Sequence, residues 1–206
     1  MNKEMSLSKN NYIEICGVIA SGKSTIAALL QQIGFTPVLE KFDINPFLQQ
    51  FYEKPEDHAL ETEIAFLLQH YNHIKRAKKE NKPFVCDFSL LLDLVFSDVT
   101  LTDKEQKVFM AVYNEVSSQV SYPDVLIHLH CDHAILLNRI QKRGREIEKT
   151  ITIEYLQQLD EALSKRINDI KKDVKIISVD SEKYNFAHNE NDKKYIIQHL
   201  TEQITA

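Results

Sequence analysis

The stretch that decides the fold is YIEICGVIASGKSTIAALL, Tyr12 to Leu30. An apolar, β-prone run enters GVIASGKS and leaves it directly into a helix-forming segment. The spacing is G-x-x-x-x-G-K-S, with glycines at Gly17 and Gly22, where the backbone can take angles that other residues resist. Successive N–H groups along Gly17, Val18, Ile19, Ala20, Ser21, Gly22, Lys23, Ser24 and Thr25 can then turn inward around a di- or triphosphate such as ATP. Lys23 is placed to reach the outer phosphates and Ser24 to offer its hydroxyl to Mg²⁺. The helix from about Thr25 points its positive end at the same anion. So short a pattern can occur by chance, but a strand before it and a helix after it are the context a phosphate-binding loop requires.

Outward from this loop, 206 residues with 43% hydrophobic content suffice for one domain with a real core. That domain is expected over Tyr12 to Ala206, after a short polar tail from Met1 to Asn11. No secretory leader and no apolar run long enough to span a bilayer is evident, so no membrane partner and a cytoplasmic location are expected. Cys16, Cys86 and Cys131 are too few and too scattered for a disulfide framework. With 25 Lys and Arg against 30 Asp and Glu, a net charge of −5 argues against nonspecific nucleic-acid binding. An acidic chain that holds a triphosphate needs a local cluster of cations instead.

Short β-like runs at Tyr12–Cys16, Thr36–Leu39, Phe84–Phe88, Val125–His130 and Val174–Val179 alternate with helical patterns. The alternation predicts an α/β fold, a five-stranded parallel sheet flanked by helices. A long helix is expected over Pro55 to Lys79, with Ala59, Glu63, Phe66, Leu67, His70 and Ile74 on one stripe. Thr102 and Glu105 have capping-box spacing, and Val108, Val112, Val116 and Val120 of the helix that follows are expected to face the core. A further helix from near Thr152 is expected to bury Leu156, Leu159, Leu163 and Ile167.

Ligands of open parallel sheets collect beyond the carboxyl ends of the strands, which singles out Glu40, Asp87 and the loop from Asp180. Arg139 and Arg143 share a helix face, and Arg145 follows Gly144, which supplies the required cations. Over nearly its whole length the chain resembles the deoxynucleoside kinase family, the deoxycytidine, deoxyguanosine and deoxyadenosine kinase group. The likeness is carried by Glu40 with Asn45-Pro46-Phe47-Leu48, FYEKPE at Phe51–Glu56, Asp87 to Ser89, RIQKRGREIE at Arg139–Glu148 and NFAHNENDKKYI from Asn185.

The resemblance implies a P-loop NTPase fold with an Arg-rich lid, about residues 139–150, that closes on ATP through Arg139, Arg143 and Arg145. It implies Mg²⁺-dependent phosphorylation of a nucleoside 5′-hydroxyl and a homodimer. Glu40 would take up or orient the hydroxyl proton. Asp87 would hold Mg²⁺ beside Ser24 or share the base role. Lys23 and Arg139 would stabilise the moving phosphoryl group, and Tyr52 and Glu148 would contact the sugar. Glu63, His70 and Asp93 fall where the family reads the base.

Two departures stand out. The family normally has Arg where this chain has Phe88, a guanidinium that touches the glutamate and the 5′-hydroxyl, and Phe cannot replace it. Lys41 is a candidate substitute. The family's Gln and Arg fall on Glu63 and His70. An ionised Glu63 would only accept hydrogen bonds, and guanine presents adjacent N–H donors to such a group, which favours deoxyguanosine or another purine. Alternatively, Glu63 pairs with His70 across two helical turns and meets no base. A nucleoside monophosphate kinase such as thymidylate kinase needs acceptor-side cations, and little beyond Lys41 follows Glu40. A nucleotide-binding domain without transfer would find support in Phe88.

Overall fold

Every strand of the sheet runs in the same direction, in the order β2 (Thr36–Val38), β3 (Phe84–Cys86), β1 (Tyr12–Cys16), β4 (Val125–His130), β5 (Lys175–Asp180). The computed structural model describes residues 12–205, so the tail expected over Met1 to Asn11 lies outside them. The helices are α1 Lys23–Gln31, α2 Leu48–Glu53, α3 Pro55–Lys79, α4 Leu90–Thr100, α5 Asp103–Ser118, α6 His133–Arg143, α7 Ile153–Ile170 and α8 Glu190–Thr205. β2 and β3 stop short of the expected Leu39 and Phe88 because the chain beyond them leaves the sheet ladder. The Asp87 N–H still donates to Val38 O at 3.2 Å, but the Glu40 N–H turns to the Asp87 side chain instead.

Alternate residues of the strands bury opposite faces. On one face, Ile13, Ile15 and Ile127 pack against Ile26 and Leu30 of α1 and Ile196 and Leu200 of α8. On the other, Cys16 and Leu126 pack against Leu92 and Val95 of α4 and Leu156, Leu159 and Leu163 of α7. Beside them Phe84, Cys86 and Phe88 meet Leu67 and Ile74 of α3 and Phe109 of α5. The chain crosses outward from β1 in both directions, so β1 and β3 flank the point where the order reverses. The loop after β1 and Asp87 after β3 open into that crevice.

α3 has the bounds expected from its pattern, with Pro55 in the first turn, where a missing N–H costs nothing. Glu63 and His70 are buried with its apolar stripe, at 4% and 2% exposure. α5 carries the capping box, but Val108 is 51% exposed, against expectation, while Phe109 is fully buried. The reason is geometric. A strict four-residue repeat drifts about 40° per step around a helix, so four such residues cannot share one narrow face. Val116 and Val120 reach the core, Val112 packs at its edge, and Phe109 replaces Val108. Among the described residues, no helix is long and apolar enough to cross a membrane.

Phe109→Ala should lower the free energy of unfolding by about 3–5 kcal/mol, whereas Val108→Ala should change it by no more than about 0.5 kcal/mol. Urea denaturation of both variants checks this, and comparable losses would overturn the assignment of the buried face.

Candidate active site

The loop after β1 is curled by its backbone. Gly17 and Gly22 have φ of 147° and 103°, and Ala20 lies between them at 64°. A Cβ at Gly17 would stand 2.6 Å from the Leu129 carbonyl oxygen of β4, so only glycine lets the loop lie this close to the sheet. At Gly22 a Cβ would come within 3.0 Å of the Phe186 ring. Gly22 caps α1 without a side chain, so nothing competes for the first N–H groups of the helix, where its positive end lies. Lys23 Nζ donates to Gly17 O at 2.8 Å and to Val18 O at 3.3 Å. Burial pulls its pKa down, against the attraction of Glu40 and Asp87.

Asp87 joins the loop to the end of β2. Its Oδ2 accepts from Ser24 Oγ at 2.6 Å and its Oδ1 from the Glu40 N–H at 2.6 Å. Burial pushes its carboxyl up while both hydrogen bonds oppose the rise. A hydroxyl and a carboxylate this close form a hard-oxygen pair suited to Mg²⁺, directly or through water. Elsewhere among the described residues, no group of three or more His, Cys, Asp or Glu side chains is placed to hold a metal ion. The His128 and His130 rings stand 6.1 Å apart, and His133 Nε2 is 3.3 Å from Asp160.

Glu40 keeps 34% of its side chain open, and its Oε1 lies 3.2 Å from His70 Nε2. His70 Nδ1 lies 2.8 Å and 3.0 Å from the oxygens of Asp93. With an acceptor carboxylate at each ring nitrogen, both nitrogens donate only if His70 is an imidazolium. Burial alone would lower its pKa, but the charge of Asp93 and the bonds to Asp93 and Glu40 outweigh it and push His70 up to about 10. Burial would raise Glu40, yet His70, Lys23 and Arg145 hold it below the usual carboxylate range. The ring of Phe88 stacks on His70 at 4.1 Å and 9°. His70 therefore supplies the cation beside Glu40, and Lys41 does not line the cavity.

Glu63 does not pair with His70. Its Oε1 accepts from Thr100 Oγ1 at 3.1 Å, and burial pushes its carboxyl up to about 8, which weighs against the ionised reading from which a guanine preference was drawn.

Gly144, at φ 68°, ends α6 and turns Arg145 back. Arg143 grips both oxygens of the buried Glu148 at 2.7 Å, and Arg145 reaches the same carboxylate at 3.2 Å. The Arg145 guanidinium lies over the Phe42 ring at 4.0 Å. Arg139 donates to Ser181 O at 2.6 Å, Ser181 Oγ at 3.2 Å and Ala20 O at 3.4 Å. Tyr52 faces this group, and burial with the charge of Glu148 raises its hydroxyl pKa.

One cavity of about 880 Å³ is lined by Glu40, Tyr52, Glu63, His70, Asp93 and Glu148, by Asp87, and by all three arginines. Of the loop, Ile19, Ala20, Gly22, Lys23, Ser24 and Thr25 line it, while Gly17, Val18 and Ser21 are buried and do not. Ser181 and Phe186 line it from the loop after Asp180 that sequence reasoning marked, whereas Phe42 and Phe96, which also line it, were not singled out. Their sequence signals are those of ordinary core and loop residues.

The family model described as Deoxynucleoside kinase matches residues 13–205. Deoxyguanosine kinase of Bacillus subtilis (strain 168) is 28% identical over 201 residues, covering 94% of this chain and 97% of the relative. Deoxyadenosine/deoxycytidine kinase of the same organism is 28% identical, covering 98% and 97%. A solved structure of deoxyadenosine kinase from M. mycoides, with products dCMP and a flexible dCDP bound, superposes with a TM-score of 0.80 at 25% identity. It covers 92% of this chain and 98% of that one.

Because the His70 pKa is raised from 6.5 to about 10, its contribution to stability is fully present below pH 6.5 and is lost as pH rises through 10. The thermal stability of the wild type relative to His70→Gln should therefore fall across that interval, as followed by melting at successive pH values. A constant difference would show that His70 is not held as an imidazolium.

Proposed function

Since the chain belongs to the deoxynucleoside kinase family, we propose that it transfers the γ-phosphoryl group of ATP to the 5′-hydroxyl of a deoxynucleoside, with Glu40 as the acceptor-side carboxylate. The observation that carries this is the shared grip of Asp87. One carboxylate holds Ser24 of the phosphate loop and the backbone of Glu40, both at 2.6 Å, so the donor cradle and the acceptor carboxylate are fixed relative to each other.

The loop N–H groups and the N-terminus of α1 bind the phosphates, and Lys23 moves from the loop carbonyls to the outer ones. The nucleoside hydroxyl donates to Glu40. As its oxygen bonds to phosphorus, the bond to the ADP oxygen breaks and the hydroxyl proton passes to Glu40. His70, locked by Asp93 and flat against Phe88, orients Glu40 and stands in for the guanidinium that Phe88 replaces. Arg139 and its neighbours stabilise charge on the transferring group and cannot lose their protons. Ser24 Oγ and Asp87 would hold Mg²⁺, which would screen the phosphate charge when bound. Tyr52 and Glu148 face the sugar.

The acceptor side favours a nucleoside over a monophosphate. Near Glu40 the cations are already committed, His70 to Glu40 and Asp93 and Arg143 and Arg145 to Glu148, and Lys41 does not line the cavity, so a phosphate on the acceptor would find little unpaired positive charge there. By family likeness we carry a homodimer and a cytoplasmic location with this function, and the net charge of −5 supports the lack of a nucleic-acid partner.

Purified protein with Mg·ATP should release ADP on addition of a deoxynucleoside and not of a monophosphate. Glu40→Gln should lower kcat by about 10²–10⁴-fold with little change in KM. A variant as fast as the wild type, or a preference for monophosphates, would overturn the proposal.

A further inference from the structure

We propose that the groove between β2 and the C-terminal end of α3 is a second anion site, which takes a phosphate dianion, free or carried on a small phosphomonoester. It does not depend on the reaction proposed above.

The groove holds about 210 Å³ and shares no lining residue with the catalytic cavity. Its polar groups come from three segments: Thr36 from β2, His73 and Arg76 from α3, and Lys82 from the turn between α3 and β3. Against them stands one carboxylate, Glu80, and the rest of the lining is apolar.

The cations here are uncommitted. From His73 to Lys82, Lys75, Arg76, Lys78, Lys79 and Lys82 face Glu80 alone, in a chain whose net charge is −5. Lys75 lies over the Tyr71 ring at 4.8 Å, and Lys78 lies over the Tyr12 ring at 4.7 Å and donates to Ser121 Oγ at 2.8 Å. Arg76 and Lys82 form no ion pair among the described residues, not even with Glu80 beside them.

His73 is the independent observation. The helix dipole accounts for cations in the last turn of α3, but not for a ring nitrogen left without a partner among them. His73 Nδ1 is buried and has no hydrogen-bond partner, although buried polar atoms nearly always have one. Burial, then the positive charges of His70, Lys41 and Arg76, pull its pKa below the ordinary 6.5. What these surroundings lack is negative charge. A phosphate supplies it, accepting from the imidazole N–H, the Arg76 guanidinium, the Lys82 ammonium and the Thr36 hydroxyl.

The size selects a small ligand. Pockets for drug-sized molecules run from about 300 to 1,000 Å³, so this one fits a phosphate with little attached. Pro37, in the middle of the edge strand, has no N–H to offer an added strand, which weighs against an acidic peptide. The site still adjoins the acceptor wall. Val38 lines it just before Glu40 in the chain, and the His73 ring stands 6.1 Å from Phe88, which stacks on His70.

Because the loop after β1 also attracts phosphate, the full chain is titrated with inorganic phosphate while a non-hydrolysable Mg·ATP analogue fills that loop. Histidine ring signals are followed by NMR, and the one lost in His73→Gln identifies the reporter. It should move saturably with a Kd of about 1 mM for so small a ligand. Arg76→Gln combined with Lys82→Gln should weaken binding by about tenfold or more. Both side chains are exposed, so the double variant should melt with the wild type. Potassium chloride at equal ionic strength should not reproduce the shift. Saturation by glycerol phosphate as well supports a phosphomonoester site, and saturation by inorganic phosphate alone supports a site for the free ion. A shift that does not saturate, persists unchanged in the double variant, is reproduced by chloride or vanishes once the loop is filled would overturn the proposal.

Discussion

The grip of Asp87 on Ser24 and on the Glu40 backbone is the constraint on which the site depends. Strand order brings the ends of β1, β2 and β3 side by side, but order alone leaves their loops free. A carboxylate that accepts one hydroxyl and one N–H, both at 2.6 Å, removes that freedom and costs the desolvation of a charge. The cost shows in the raised pKa of Asp87. It is offset because both oxygens are satisfied at short range, which is the condition under which a buried carboxylate is tolerated.

The same economy governs the acceptor side. Glu40, Glu63 and Asp93 crowd one wall around a single imidazolium, with Lys23 and Arg145 acting on Glu40 from farther off. The geometry commits the imidazolium to the two carboxylates that touch it, Asp93 and Glu40, and leaves Glu63 to a hydroxyl. Phe88 belongs to this arrangement. Its ring gives His70 an apolar wall on one side, which keeps water from competing for the imidazolium and fixes its plane. Phe88 is here an apolar wall, and the cation beside Glu40 is the imidazolium stacked on it.

What could be read in advance was what is local. The phosphate loop, the alternation of strands and helices, the bounds of α3 and the capping box of α5 are each set by residues within a few positions of one another. Family resemblance carried the candidate residues into one cavity, but not their partners. His70 and Glu40 are 30 positions apart, and nothing in either residue announces the contact. The surroundings of Glu63 were hidden for a related reason. A carboxyl group's charge depends on how much water surrounds it, and that is decided by α2, α4 and α7 together rather than by α3. The misplaced Val108 was a local error of another kind, a repeat length mistaken for a face.

Arg139, Arg143 and Arg145, alike in sequence, differ in what binds them. Arg143 and Arg145 divide the negative charge of Glu148 between them, whereas the partners of Arg139 among the described residues are two carbonyls and a hydroxyl, all uncharged. Arg139 therefore holds its full positive charge in reserve at the rim of the phosphate loop, while the other two are partly cancelled before any anion arrives. The positive charge of this segment is graded, fullest beside the loop after β1 and most cancelled at Glu148, so the field along the cavity has a direction.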